Sequence, residues 1–157
     1  MGKPIDKLDF WKERIDTAVK PHYSVYVVHE EGWKKILNEH LLIIQNNIGA
    51  GSKVLDAGCG YGRMSEYFPN YTGIDFSPDF IEKAKKNYPD KDFRVMNLKN
   101  IEFADNEFDW VICVSIKKMI IDNLGIDEWN KMEAELKRVA KKVLILEYET
   151  PNEYKII

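Results

Sequence analysis

A glycine-rich turn directly behind a short apolar strand is the feature that most constrains the fold of this chain. Val54-Leu55-Asp56-Ala57 has the composition of a buried strand, and Gly58-Cys59-Gly60-Tyr61-Gly62 follows it at once. Glycines at alternate positions permit backbone conformations that are closed to other residues, and they let a ligand approach the bare main chain. We predict a cofactor-binding turn here, and a helix from Arg63 whose unpaired N–H groups suit an anionic group such as a carboxylate.

The spacing of the glycines excludes two common nucleotide sites. A dinucleotide-binding turn has its third glycine three residues after the second, where this chain has Arg63. A phosphate-binding P-loop places Lys-Ser or Lys-Thr behind its last glycine, whereas Gly62 is followed by Arg63-Met64. Nicotinamide dinucleotides and ATP are therefore disfavoured as ligands of this turn.

The order D-x-G-x-G-x-G, which begins at Asp56, resembles the first motif of the class I S-adenosylmethionine-dependent methyltransferases. This resemblance implies that S-adenosyl-L-methionine is the cofactor and that the turn holds its methionine end. The cofactor-binding candidates in this segment are Asp56, Ala57, Gly58, Cys59, Gly60, Tyr61 and Gly62.

The next segment extends the resemblance in the same order. Residues 71–75 read as a short strand that ends on Asp75, and a helix is predicted to follow with Ser77 as its N-cap and Pro78 at its first position. A carboxylate accepts two hydrogen bonds from a vicinal diol, so Asp75 is the candidate for holding the ribose hydroxyls. Phe76 is expected to offer an apolar face to the adenine ring.

Two further strands are predicted at residues 93–98 and 108–115. Members of the family usually have an acidic residue where this chain has Asn97, but an amide oxygen accepts the same hydrogen bond from the adenine amino group. By the same resemblance, Leu98 would offer its backbone N–H to the ring, and Ser115 would lie beside the methionine moiety.

A fifth strand is predicted at residues 143–148, behind an amphipathic helix over residues 128–140 with Met132, Leu136 and Val139 on one face. Strands that alternate with helices imply parallel pairing and right-handed crossovers. The resemblance implies a Rossmann-like, doubly wound, mainly parallel α/β sheet of order 3-2-1-4-5. We expect this sheet to lack the last two strands usual in the family, with the ligand at the carboxyl ends of its strands.

The chain is predicted to form one domain in three parts. Residues 1–48 form an N-terminal helical segment that caps the cofactor and recognises the acceptor, residues 49–149 form the cofactor-binding core, and residues 150–157 form a tail. The spacing of Ile36, Leu37, Leu41 and Ile44 predicts a helix packed on the sheet.

The N-terminal segment also carries aromatic and histidine residues in a predicted loop. We assign Tyr26 to closing over the methionine moiety, and we assign His22 and Tyr23 to the acceptor side. His22 is the candidate general base for an oxygen acceptor, whereas an amine acceptor could lose its proton after transfer. Packing in the core is the competing interpretation for these aromatics.

Charge and motifs narrow the class of acceptor. A net charge of −3 does not provide the basic face on which phosphate contacts depend. The fourth strand leads into Ser115-Ile116-Lys117-Lys118, and not into the Asn/Asp-Pro-Pro-aromatic turn shared by methylases of base amines. Neither cysteine follows a proline, as the nucleophile of a cytosine C5 methylase would. We therefore predict a small-molecule acceptor and no nucleic acid partner.

The remaining features concern location and assembly. Cys59 and Cys113 lack metal-ligand spacing, so no metal site is predicted, and reduced thiols suit a cytoplasmic protein. No apolar run approaches the length of a membrane span. After the fifth strand the tail offers at most one short strand, at residues 154–157, so we predict an open sheet edge through which two copies form a homodimer.

Two functions fit these patterns. The first is an S-adenosylmethionine-dependent methyltransferase acting on a small molecule, which the cofactor motif and the aromatic N-terminal segment favour. The alternative is a non-catalytic protein that binds S-adenosylmethionine or S-adenosylhomocysteine in a regulatory role, which the shortened sheet favours.

Overall fold

The computed structural model describes residues 8–17 and 30–157. The helices are α1 (Leu8–Thr17), α2 (Glu30–Asn47), α3 (Pro78–Asn87), α4 (Lys117–Leu124) and α5 (Ile126–Val139). The strands are β1 (Val54–Ala57), β2 (Tyr71–Asp75), β3 (Asp92–Val95), β4 (Phe108–Val114), β5 (Ala140–Leu146) and β6 (Tyr154–Ile156).

The strands form one six-stranded sheet of order β3-β2-β1-β4-β5-β6. The first five strands pair in parallel, which confirms the predicted order 3-2-1-4-5. The sheet continues one strand further than its fifth: β6 pairs antiparallel with β5, from Leu144 opposite Ile156 to Leu146 opposite Tyr154. The edge of β5 is therefore covered by the short strand that the tail could supply.

Neighbouring residues of a strand point to opposite faces of the sheet, and here both faces carry apolar side chains. Helices therefore cover both faces. On one face Leu55, Val111 and Val143 pack in a cluster with residues of α5, and on the other face Val54, Ile112 and Leu144 pack with residues of α2. All six of these strand side chains are fully buried. Phe10 of α1 packs against the cluster on the α5 face, and Lys12 lies 3.6 Å from Asp79 of α3.

Several predicted elements occur where the sequence places them. Ser77 is the N-cap of α3 and accepts a hydrogen bond from the N–H of Phe80, with Pro78 at the first helical position. The apolar stripe of α5 is buried, and Leu37, Leu41 and Ile44 of α2 pack against the sheet. Every helix in the described ranges is too short or too polar to cross a bilayer.

The helix predicted to begin at Arg63 is wrong. Only a 3₁₀ turn, Ser65–Tyr67, lies between the glycine turn and β2. The chain between Ala57 and Tyr71 contains three glycines and Pro69, and it has to reverse and re-enter the sheet beside β1, which leaves no length for a helix of several turns. Helix α4, by contrast, was not predicted.

Candidate cofactor site

A cavity of about 450 Å³ lies at the carboxyl ends of β1, β2 and β4. Strand β1 pairs with β2 on one side and β4 on the other, so the chain departs in opposite directions at this point, where open α/β sheets bind their ligands. The predicted site residues that line the cavity are Asp56, Gly58, Cys59, Gly60, Tyr61, Asp75, Phe76, Asn97, Leu98 and Ser115.

Of the predicted residues that the structure describes, two do not line the cavity. Ala57 is fully buried in the core, and Gly62 packs on the ring of Phe93. His22, Tyr23 and Tyr26 lie outside the described residues.

The glycine turn is fixed by main-chain hydrogen bonds and by its left-handed backbone. The N–H groups of Gly58 and Cys59 both donate to the carbonyl of Ile74, at 2.8 and 2.9 Å. Gly58 has φ +77°, and a Cβ there would lie 2.7 Å from Cδ1 of Ile116, whose side chain packs against this glycine. The left-handed conformation of the turn therefore favours glycine at this position.

No α-helix begins at Arg63, so the unpaired N–H groups of a helix N-terminus, which were predicted to bind an anion, are not present there. The main chain of the glycine turn and the side chain of Arg63 line this part of the cavity instead. Burial raises the pKa of Asp56, and the positive charge of Arg63 opposes that rise. Positive charge at this end of the cavity thus comes from a side chain, and not from a helix dipole.

Asp75 at the end of β2 is buried in the cavity wall, with 8% of its surface exposed. One carboxylate oxygen accepts the N–H of Gly60 at 3.0 Å, and the other accepts the N–H of Ser77 at 2.9 Å. Burial raises the pKa of Asp75 to about 6, although the two N–H donors lower it. Each oxygen keeps a further lone pair that can accept a hydrogen bond from a hydroxyl group of a ligand in the cavity.

Asp56 at the end of β1 is the second buried carboxyl of the site. Its Oδ2 accepts the hydroxyl of Tyr71 at 2.7 Å. Burial raises the pKa of Asp56 to about 6, while the bond from Tyr71 lowers it. The cavity is therefore bordered by two acids that ionise close to neutral pH.

The opposite end of the cavity is mainly apolar. Phe76, Leu98 and Met119 border it, and Asn97 lies at its rim with its side-chain oxygen accepting the N–H of Lys99 at 2.9 Å. This end suits a flat ring between apolar side chains with polar groups at its edge. Ser115 directly follows β4, which pairs with β1, and so lies on the side of the glycine turn. Its φ of +61° is a left-handed conformation that is uncommon outside glycine.

Sequence reasoning missed the part of the wall that α4 and α5 supply. Met119, Ile120, Leu124, Glu128 and Met132 border the cavity. The apolar residues of α4 recur at helical spacing and Gly125 ends the helix, so this pattern was the available signal. The side chain of Arg63, which also lines the cavity, was not among the predicted site residues.

The two thiols and the metal-ligating side chains in the described part of the chain are the candidates for a nucleophile and for a metal site. Burial raises the pKa of both Cys59 and Cys113, which keeps the two thiols neutral. Within residues 8–17 and 30–157 no group of three His, Cys, Asp or Glu side chains could hold a metal ion.

Two sequence comparisons identify relatives. The chain is 30% identical over 120 residues to a demethylmenaquinone methyltransferase of Renibacterium salmoninarum, a match that covers 70% of this chain and 48% of that protein. It is 35% identical over 74 residues to the putative methyltransferase 235L of Invertebrate iridescent virus 6, covering 43% of this chain and 28% of that protein. The matches thus span less than half the length of either relative.

A solved structure and a family model agree with the fold and the motif order. The PH0226 protein from Pyrococcus horikoshii superposes with a TM-score of 0.63 and 26% identity, covering 82% of this chain and 66% of that one. The family model described as a methyltransferase domain matches residues 55–145. This match runs from β1 through nearly all of β5 and includes the cofactor motif. The chain therefore belongs to the class I S-adenosylmethionine-dependent methyltransferases, whose Rossmann-like fold and cofactor it shares.

Proposed function

We propose that this chain is an S-adenosylmethionine-dependent methyltransferase that acts on a small-molecule acceptor. The observation that carries the proposal is the cavity at the carboxyl ends of β1, β2 and β4, where the glycine turn, the buried carboxylate of Asp75 and apolar walls converge. A volume of about 450 Å³ suits one compact ligand of nucleoside size.

The residues present fit the cofactor from end to end. Asp75 would accept hydrogen bonds from the ribose hydroxyls, and Phe76 and Leu98 would enclose the adenine ring, with Asn97 at its edge. The main chain of the glycine turn would lie against the methionine moiety, with the side chain of Ile116 beside it. Arg63 would lie near its carboxylate, and Ser115 beside it.

Methyl transfer from S-adenosylmethionine requires mainly that the protein position the two reactants. The cofactor supplies a methyl group on a positively charged sulfonium, which is already activated for transfer. The task of the chain is to hold an acceptor in line with that methyl group and to exclude water. For an oxygen acceptor we keep His22 as the general base, with Tyr23 beside the acceptor and Tyr26 closing over the methionine end.

Charge supports the small-molecule assignment. The net charge of −3 does not provide the excess of basic residues that binding a phosphate backbone requires. In addition, one relative is a demethylmenaquinone methyltransferase, whose name gives a small molecule as its acceptor. The free, buried thiols Cys59 and Cys113 suit a reducing compartment, so we place the protein in the cytoplasm.

Calorimetric titration with S-adenosylmethionine, S-adenosylhomocysteine and NAD, in parallel, tests the cofactor half. We expect micromolar binding of both adenosyl ligands and no binding of NAD, and the reverse pattern would overturn the proposal. Incubation with methyl-labelled S-adenosylmethionine and fractionated small metabolites tests the catalytic half. Label transfer that disappears in Asp75→Ala supports an enzyme, whereas tight binding with no transfer to any fraction would favour the regulatory alternative.

A further inference from the structure

Tyr71 occupies an unusual place for a polar group. It opens β2, and its ring is buried between Phe68 and Phe93, whose centroids lie 6.5 and 5.7 Å away. Its hydroxyl is not directed to solvent but donates to Oδ2 of Asp56 at 2.7 Å. From the sequence alone, Tyr71 is predicted only to begin a strand.

Gly73 provides the space for this contact. In the parallel register of β1 and β2, Gly73 lies directly opposite Asp56, two residues after Tyr71 on the same face of the strand. A Cβ on Gly73 would lie 2.9 Å from the Tyr71 hydroxyl and 2.8 Å from the ring of Phe93. A side chain at position 73 would therefore displace the hydroxyl that now reaches Asp56.

Asp56 is the group on which this hydroxyl acts. Only 2% of its surface is exposed, and it lines the cavity at the start of the glycine turn. Burial raises the pKa of Asp56, and the donated bond opposes that rise by favouring the ionised form. Within residues 8–17 and 30–157, the titratable groups that interact with Asp56 are Tyr71 and Asp75 of β2, Cys59 and Arg63 of the turn, and Cys113 of β4.

We propose that Tyr71 is a positioning residue of the cofactor site, which holds the Asp56 carboxylate ionised and oriented at the methionine end of the cavity. The ligand half of this inference rests on the proposed function, because S-adenosylmethionine brings a cationic sulfonium and an ammonium group to that end. A fixed negative charge there attracts both, and its protonation removes the attraction. The link between Tyr71 and Asp56 itself does not depend on any ligand.

The first test uses the ligand-free protein labelled with ¹³C at its aspartate carboxyl groups. In an NMR titration, Tyr71→Phe should raise the ionisation midpoint of Asp56 by about one pH unit or more, because a hydrogen bond to a charged group is lost. The midpoint of Asp75 should stay within about 0.3 units of its value in the wild type. Tyr88→Phe, which alters a half-buried tyrosine against the same Phe93 ring, is the matched control and should move neither midpoint. An unchanged Asp56 midpoint in Tyr71→Phe would overturn the inference.

The second test measures S-adenosylhomocysteine affinity by calorimetry between pH 5.5 and 8.5. Tyr71→Phe should bind about eightfold more weakly than the wild type at pH 5.5 and within about 1.5-fold of it at pH 8.5, where Asp56 ionises in both. In an Asp56→Asn background the same substitution should change the affinity by less than about twofold. An equal loss at every pH, or an undiminished loss in the Asp56→Asn background, would mean that Tyr71 acts only through packing.

Two outcomes separate this inference from the proposed function. If the wild type binds neither adenosyl ligand while the Asp56 midpoint still depends on Tyr71, the proposed function and the ligand half of the inference fail together, and the link stands. If Tyr71→Phe does not fold, the pH dependence of S-adenosylhomocysteine binding by Asp56→Asn tests the inference. Its affinity should depend less steeply on pH near 6 than that of the wild type, and an unchanged profile would refute a role for Asp56.

Discussion

Asp75 is the single side chain on which cofactor affinity should depend most. Asp75→Ala removes both oxygens that face the ribose and leaves the N–H groups of Gly60 and Ser77 without their acceptor. Because hydrogen bonds to a charged group contribute about 1.5–3 kcal/mol each, we expect S-adenosylhomocysteine to bind at least about 100-fold more weakly in calorimetry. Asp79→Ala, which removes a carboxylate one turn further on that pairs with Lys12, is the control. Equal affinity in Asp75→Ala and the wild type would show that the ribose lies elsewhere.

The same carboxyl should make binding sensitive to pH. Burial raises the pKa of Asp75 to about 6, so the ionised acceptor is present above pH 6 and is lost as the pH falls through that value. Ribose hydroxyls donate to the ionised form, so protonation of Asp75 alone should reduce affinity by up to about tenfold per pH unit below 6. Calorimetry at pH 5, 6 and 7.5 checks this, and a flat profile would contradict it.

At the residue scale, most of the candidate site could be predicted from the sequence because it lies next to the strands in the chain. The glycine turn and Asp75 directly follow, or end, short apolar runs, so their positions at the carboxyl ends of parallel strands follow from the alternation of elements. Met119 and Met132 could not be assigned in this way. Their place in the cavity wall depends on how α4 and α5 pack against the sheet, and no local pattern records that.

Among the elements, the glycine turn should tolerate substitution least. Gly62 has φ +85°, and a Cβ there would lie 2.6 Å from Cζ of Phe93. Left-handed strain and overpacking each cost about 1–2 kcal/mol or more, so Gly62→Ala should lower the free energy of unfolding by at least about 2 kcal/mol in urea denaturation.

Gly51→Ala is the matched control for that substitution. Gly51 lies in the loop before β1, no atom lies within 4 Å of the position of its missing Cβ, and its φ is not in the left-handed region. Its free energy of unfolding should stay within about 0.5 kcal/mol of the wild type. Equal losses in the two variants would show that the turn is not constrained as described.

A comparison of the predicted with the observed helices and strands shows which of them the local sequence is sufficient to predict. Strand β2 and helix α3 have strong local signals, namely an apolar run, a serine cap and a proline at the first helical position, and both are confirmed. A helix from Arg63 is the usual continuation of a strand and a glycine turn in folds of this class. Here the return to β2 comes so soon that pairing with β1 overrides that succession and leaves only a 3₁₀ turn.

At the scale of the whole molecule, the outer edge of the sheet remains the predicted contact between two copies. Strand β6 covers β5 but presents its own outer edge, where Tyr154 is 50% and Ile156 41% exposed. Sedimentation velocity at high micromolar concentration should show a dimer, and Ile156→Lys should shift it towards monomer. Ile126→Lys, at an equally exposed position at the start of α5, should leave the dimer intact. A monomeric wild type at that concentration would remove the prediction.

The short connection between β1 and β2 has a consequence for cooperativity. The amides of Gly58 and Cys59 are bonded to Ile74 within β2, and that of Gly60 to Asp75 at its end, so the cofactor-binding turn has no hinge or helix of its own that could detach. Opening it requires separation of two central strands, which is a sub-global event. These amides should exchange with deuterium as slowly as those of β1 itself, and the site should therefore unfold together with the centre of the sheet as one foldon.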